Sequence, residues 1–184
     1  HIWAGGGEYN SKNIFFVPNM PTEEIFTMPF KDGVNGYVKS TKPLNYGGSI
    51  IDDFTLTFKG GKVIDFKAGQ GQEILKQLIE TDEGSHFLGE VSLVPFDSPI
   101  SQSNILFYNT LFDENASCHF ALGKAYNGCI KGGNDMSSSE VQKLGANDSL
   151  IHVDFMVGSK DLDIAGETHN GQKIQIFKNG NWAF

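Results

Sequence analysis

The chain has 184 residues, with 14 Lys plus Arg against 22 Asp plus Glu, a formal charge of −8. That length suits a single domain, which buries roughly 70% of its unfolded surface and needs neither disulfide nor metal merely to fold. A hydrophobic fraction of 39% with 15 Phe excludes a disordered chain, no apolar run nears the roughly 18 residues of a membrane span, and the net acidity argues against a nucleic-acid partner.

In chain order, residues 12–17 read as a strand leading into Pro18-Asn19-Met20-Pro21, where Thr22 is a candidate cap for a short turn. A short strand follows at 34–39. Phe54, Leu56 and Phe58 alternate with Thr55 and Thr57, the period of a strand. Gly60-Gly61 turns the chain into 62–67, where Val63 and Ile64 compete for the inward face. Residues 71–81 predict a helix, with Ile74, Leu75, Leu78 and Ile79 as its apolar stripe.

Strands are expected at 89–95 and 104–108. The segment from Asp113 to about Asn127 predicts a second helix, started by Asp113 or Glu114 and ended at Gly128. Residues 128–147, rich in Gly, Ser and Asn, read as a loop. Residues 149–157 read as a strand, and 172–183 as a hairpin around Asn179-Gly180. Strands outnumber helices without alternating with them. The expected fold is therefore α+β, a mainly antiparallel curved sheet with a few packed helices, in one domain over 1–184.

Cys118 and Cys129 form no CxxC pair and flank the expected second helix. They read as free thiols, which fits a reducing, cytoplasmic setting.

Four stretches carry candidate chemistry. In Ile151-His152-Val153-Asp154-Phe155, strand alternation puts His152 and Asp154 on one face, an imidazole and a carboxylate suited to a divalent cation. His119 and Tyr126 lie seven apart, two turns along one face of the expected helix. Glu23 and Glu24 are adjacent acids in an apolar context, and Glu90 opens a hydrophobic strand. His86 and His169, set among turn residues, are expected to be exposed. No P-loop, GxGxxG, HExxH or GxSxG pattern is present. Three carboxylates and two imidazoles holding two ions would make a hydrolytic centre.

At these residues the chain resembles the thermophilic-type aminopeptidase family of metallopeptidases, which includes aminopeptidases T and S. The matching blocks are 18–29 (PNMPTEEIFTMP), 81–95 (TDEGSHFLGEVSLVP), 111–119 (LFDENASCH) and 152–159 (HVDFMVGS). The resemblance implies a metal-dependent aminopeptidase that removes N-terminal residues from peptides with a free N-terminus. It implies a dinuclear centre of two divalent ions (zinc, cobalt, manganese or magnesium) with metal-activated water. The implied ligands are Glu24, Glu90, His119, His152 and Asp154, with Tyr126 beside the metals. It does not say which of Glu24, Glu90 and Asp154 bridges, and Glu90 and Glu23 are both candidates to take the water proton. Asp113 or Glu114 is a candidate acceptor for the far nitrogen of a ligating histidine. The resemblance further implies that this is the carboxy-terminal catalytic part of a longer, homodimeric enzyme with an α/β amino-terminal domain. An isolated fragment serving structure or dimerisation is the alternative.

Overall fold

A computed structural model describes residues 1–17 and 23–184. The reading of Thr22 as a cap, and of Pro18 to Pro21 as a turn, lies outside the described residues. The chain opens with four short strands, β1 (Ala4–Gly5), β2 (Glu8–Tyr9), β3 (Phe15–Phe16) and β4 (Ile25–Thr27). Next come β5 (Gly36–Lys39), β6 (Leu44–Tyr46), the long β7 (Ser49–Lys59) and β8 (Lys62–Gln70), followed by helix α1 (Gln72–Ile79). The middle of the chain forms β9 (Leu88–Leu93), α2 (Pro99–Ser103), α3 (Thr110–Asp113), β10 (His119–Gly123), α4 (Ser138–Lys143) and β11 (His152–Met156). The tail forms β12 (Ile164–Glu167), β13 (Lys173–Lys178) and β14 (Asn181–Trp182). The α+β class and the antiparallel sheets are as expected.

Five strands make the central sheet, in the order β1-β4-β9-β10-β11, every pair antiparallel. A second sheet is built on β7, which pairs with β5, β6 and β8. The β7–β8 hairpin follows from the sequence directly. Gly60 and Gly61 adopt φ of +56° and +81°, the left-handed geometry of a two-residue turn. A bulge between Thr57 and Phe58 settles the register, burying Val63 and leaving Ile64 exposed.

The main core lies between these two sheets. Phe54, Leu56 and Phe58 of β7 and Leu75, Leu78 and Ile79 of α1 meet Leu88, Leu122 and Phe155 from the back of the central sheet. Each such side chain contributes about 1.5–3 kcal/mol by leaving water. The central sheet therefore spends one face on the core, and its opposite face is left for polar groups.

Three expected elements are replaced. In the segment 113–127 the helical residues are the end of α3, a 3₁₀ turn at Glu114–Ala116 and the first residue of another at Asn127–Cys129, and between the two turns the chain runs extended through β10. The reason is tertiary. β10 is an interior strand whose backbone pairs with β9 on one side and β11 on the other. That ladder outweighs the helix preference of the small residues there. His119 and Tyr126 accordingly share no helix face.

Residues 104–108 form no strand. Asn104 and Tyr108 hold φ of +54° and +55°, which interrupts any ladder. The Asp113 carboxylate instead accepts the backbone N–H groups of Phe107 and Asn109. The expected loop 128–147 contains α4, and the strand expected over 12–17 shrinks to β3. His86 is half-buried in a 3₁₀ turn, not exposed, whereas His169 is exposed.

Candidate metal centre

Period-two alternation along three neighbouring strands builds the polar face. Ala121 of β10 is the direct cross-strand neighbour of Glu90 on β9 and of Asp154 on β11, so these three share a face. His119, two residues before Ala121, sits on that face beside Ser92, and His152 sits there two residues before Asp154. Glu24 immediately precedes β4, whose Phe26 pairs with Ser92.

The side chains converge. His119 Nε2 lies 3.1 Å from Glu24 Oε1 and 3.4 Å from Glu90 Oε1. His152 Nε2 lies 3.5 Å from Glu90 Oε2 and 3.3 Å from Asp154 Oδ1. Two groups result, Glu24–Glu90–His119 and Glu90–His152–Asp154, each with donor atoms within 4.8 Å of one another and capable of holding a metal ion. Glu90 belongs to both. His119, Glu90 and Asp154 are buried, and Glu24 and His152 are partly buried.

Each histidine is aimed by a backbone carbonyl. His119 Nδ1 is 3.0 Å from the Ser117 oxygen, and His152 Nδ1 is 2.7 Å from the Lys124 oxygen. With Nδ1 donating, a neutral ring turns the lone pair of Nε2 toward the carboxylates. This corrects the expectation that Asp113 or Glu114 would accept from a histidine. Asp113 holds the 107–109 loop, and a carbonyl serves each ring.

A lone pair facing carboxylate oxygens is repulsive unless a proton or a cation lies between. His119 Nε2 is buried and makes no hydrogen bond among the described residues. The donor set of imidazole nitrogen and carboxylate oxygen suits a divalent ion, so the residues present fit one. Without a cation the site holds protons. Burial opposes charge on His119, but the adjacent Glu24 and Glu90, with Asp154 behind them, raise its pKa well above the ordinary imidazole value. The same opposition, resolved chiefly by Asp154, pushes His152 up to about 9. Burial raises the Glu90 carboxyl as well.

Two more side chains border the cluster. Tyr126 is half-exposed, its ring 4.6 Å from that of His152 and 6.1 Å, edge-on, from that of Phe26. Burial and the surrounding carboxylates push its phenol up to about 12, so it stays protonated and able to donate. Glu114, expected to start a helix or to accept from a ligating histidine, instead borders the cluster as a further acid. Its carboxyl is pushed up to about 8, first by burial and then by the charges of Asp154, Glu24 and Glu90. Of the two adjacent acids, Glu24 joins the cluster, while Glu23 Oε2 is buried with no hydrogen-bond partner among the described residues.

The chain is 64% identical over 184 residues to aminopeptidase AmpS of Bacillus subtilis (strain 168), and 40% identical over 182 residues to aminopeptidase T of Thermus aquaticus. It superposes on the structure of wild-type AmpT from Thermus thermophilus with a TM-score of 0.92 at 39% identity, covering all of this chain and 45% of that one. All of this chain matches AmpS and 99% of it matches aminopeptidase T, but it spans only 45% and 44% of their respective lengths. Residues 1–182 match the thermophilic metalloprotease (M29) family, and the chain belongs to it.

Proposed function

We propose that residues 1–184 form a catalytic domain of a metal-dependent aminopeptidase, acting on peptides with a free N-terminus through two divalent ions. The observation that carries this reading is the shared Glu90, whose Oε1 faces His119 and whose Oε2 faces His152. A carboxylate placed so is suited to span two ions, with Glu24 and His119 completing one position and His152 and Asp154 the other. Zinc, cobalt, manganese or magnesium all accept such donors. The chemistry such ions would supply, held by Glu24, Glu90, His119, His152 and Asp154, is Lewis acidity toward the scissile carbonyl and a water pKa lowered from 15.7 toward ~7.

The chain's own groups do the rest. Glu114, kept from ionising by burial and by the neighbouring carboxylates, joins Glu90 and Glu23 as a candidate to take the proton of the attacking water and return it to the leaving amine, once bound cations offset those charges. Tyr126 keeps its proton and donates a hydrogen bond to the oxygen that gains charge. A free amino terminus, once neutral, offers a nitrogen donor that an internal peptide lacks, which favours the end of a peptide over its interior. Cys118 and Cys129, both buried and free, fit a reducing cytoplasmic compartment.

The test uses the full-length protein, stripped of metal and reconstituted. Two ions per chain and hydrolysis of an aminoacyl anilide are expected. Metal binding without turnover of any aminoacyl substrate would overturn the activity, and no bound ion would overturn the site. A role in homodimerisation is a second reading, favoured by the exposed apolar side chains Trp3, Tyr9, Phe15, Phe107, Tyr108 and Phe112. Sedimentation of the full-length protein tests it, and a monomer would dismiss it.

A further inference from the structure

The interior of β9 holds a polar side chain that packing does not explain. Ser92 is completely buried, and the next two residues along the chain, Leu93 and Val94, are buried apolar side chains. Its hydroxyl donates to Glu24 Oε1 at 2.7 Å. That oxygen is the one 3.1 Å from His119 Nε2. Ser92 thus stands between Phe26 of β4 and His119 of β10 in one cross-strand row and reaches back to the acid that precedes β4.

Glu24 needs such a hold. It lies outside the strand ladder, and two methylene groups separate its carboxylate from the backbone. A donor fixed on β9 selects one rotamer and occupies one lone pair of Oε1, leaving Oε2 and the remaining lone pair for a cation. The other half of the centre has its own support. His152 is held by the Lys124 carbonyl, and among the described residues the Ser92 hydroxyl bonds to Glu24 instead.

We propose that Ser92 is a positioning residue for one half of the centre, setting the cation affinity of the Glu24–Glu90–His119 group and leaving the Glu90–His152–Asp154 group unaffected. The proposal rests on the two-ion reading above. It makes the two metal positions unequal, with the inequality traceable to one hydroxyl.

The experiment is a calorimetric zinc titration of the metal-stripped full-length protein against a competing chelator. The wild type and the variants Ser92→Ala, Ser92→Cys and Ser92→Thr are compared, and the melting temperature of each metal-free variant is recorded. Ser92→Ala is expected to weaken one of the two binding events about tenfold or more and leave the other unchanged. Ser92→Cys, which keeps the volume but donates poorly, is expected to do the same. Ser92→Thr, which keeps the hydroxyl, is expected to restore the wild-type pattern. Metal-free melting temperatures that track the wild type separate lost positioning from lost folding. Two unchanged binding events in both the Ala and Cys variants, or equal weakening of both events, would overturn the proposal while leaving the two-ion reading intact. A wild type that binds fewer than two ions would overturn that reading, and with it the unequal halves.

Discussion

Glu90 and Asp154 face one another across Ala121, each its direct neighbour on an adjoining strand. Adjacent strands lie about 4.7–4.9 Å apart, so the two acids start about 9–10 Å from each other and reach inward over the methyl group between them. Ala121 is fully buried, and its small side chain forms the floor on which the acids meet the two imidazoles. Ala121→Val is therefore expected to crowd the carboxylates apart. The fold should lose about 1–3 kcal/mol from overpacking, while metal stoichiometry falls well before the protein unfolds. Metal analysis beside a denaturant melt checks this, and full metal content in a stable Ala121→Val protein would contradict it.

His152 offers a cleaner separation of site from fold. It sits at the start of β11, only partly enclosed, and contributes to none of the apolar clusters. His152→Ala removes one nitrogen donor and the ring that packs against Tyr126, and leaves the β10–β11 ladder intact. Activity of the metal-replete full-length enzyme is expected to fall by more than the roughly 10–100-fold that an outer-shell change costs. The melting temperature of the metal-free form should move little. Hydrolysis of an aminoacyl anilide and a thermal melt measure the two effects, and retained activity would remove His152 from the centre.

How far the sequence discloses this arrangement depends on what holds each segment. The β7–β8 hairpin and α1 are legible because their patterns are local: strict alternation in one, an apolar stripe in the other, with Gly60-Gly61 between the strands. His152 and Asp154 are legible for the same reason, two residues apart on a strand. His119 is not. Five residues, His-Phe-Ala-Leu-Gly, are too few to separate strand from helix, and only the neighbouring β9 and β11 decide it. The acceptors for the two histidines are carbonyls of Ser117 and Lys124, which any residue would supply, so no side chain announces them. Helix α4 did leave a mark that composition hid. Ser137 and Glu140 have capping-box spacing, and the Glu140 carboxylate accepts the Ser137 N–H at 2.8 Å. Convergence of the four stretches on one site follows from the family motifs, since spacing along the chain carries no information about it.

The protons held by the metal-free site give a pH dependence of definite sign. His152 titrates at about 9 in the folded protein against an ordinary 6.5, and Glu114 at about 8 against 4.5. In both cases the folded state binds protons that the unfolded state has lost, so stability falls as pH rises. For His152 the contribution is complete below about 6.5 and is lost as pH passes about 9. For Glu114 burial costs stability increasingly from about 4.5 up to about 8. The metal-free protein is thus expected to melt at lower temperature as the pH is raised from 6.5 to 9. Metal binding must displace the histidine protons, so affinity is expected to rise over the same interval. Titration in two buffers of different ionisation enthalpy reads the released protons, and a metal affinity that is flat with pH would contradict the protonated state.

The acceptor carbonyl of His152 is itself held by glycine. A Cβ built on Gly89 would stand 2.4 Å from the Lys124 oxygen, and one on Gly123 would stand 2.1 Å from the Ile151 oxygen, at a φ of +105°. These two positions let β9 and the end of β10 close on the Lys124 peptide, whose oxygen receives the His152 Nδ1 proton at 2.7 Å. Gly89→Ala forces that carbonyl to move, since backbone cannot fold away as a flexible side chain can. The ring of His152 then loses its fixed tautomer and its aim at Glu90 and Asp154. The expected outcome is a loss of about 1–3 kcal/mol in stability together with weaker binding at the Glu90–His152–Asp154 group. Binding at the Glu24–Glu90–His119 group should persist, the reverse of the pattern expected for Ser92→Ala. Zinc titrations of the two variants side by side test both halves of the centre at once, and identical patterns would show that neither half is positioned independently.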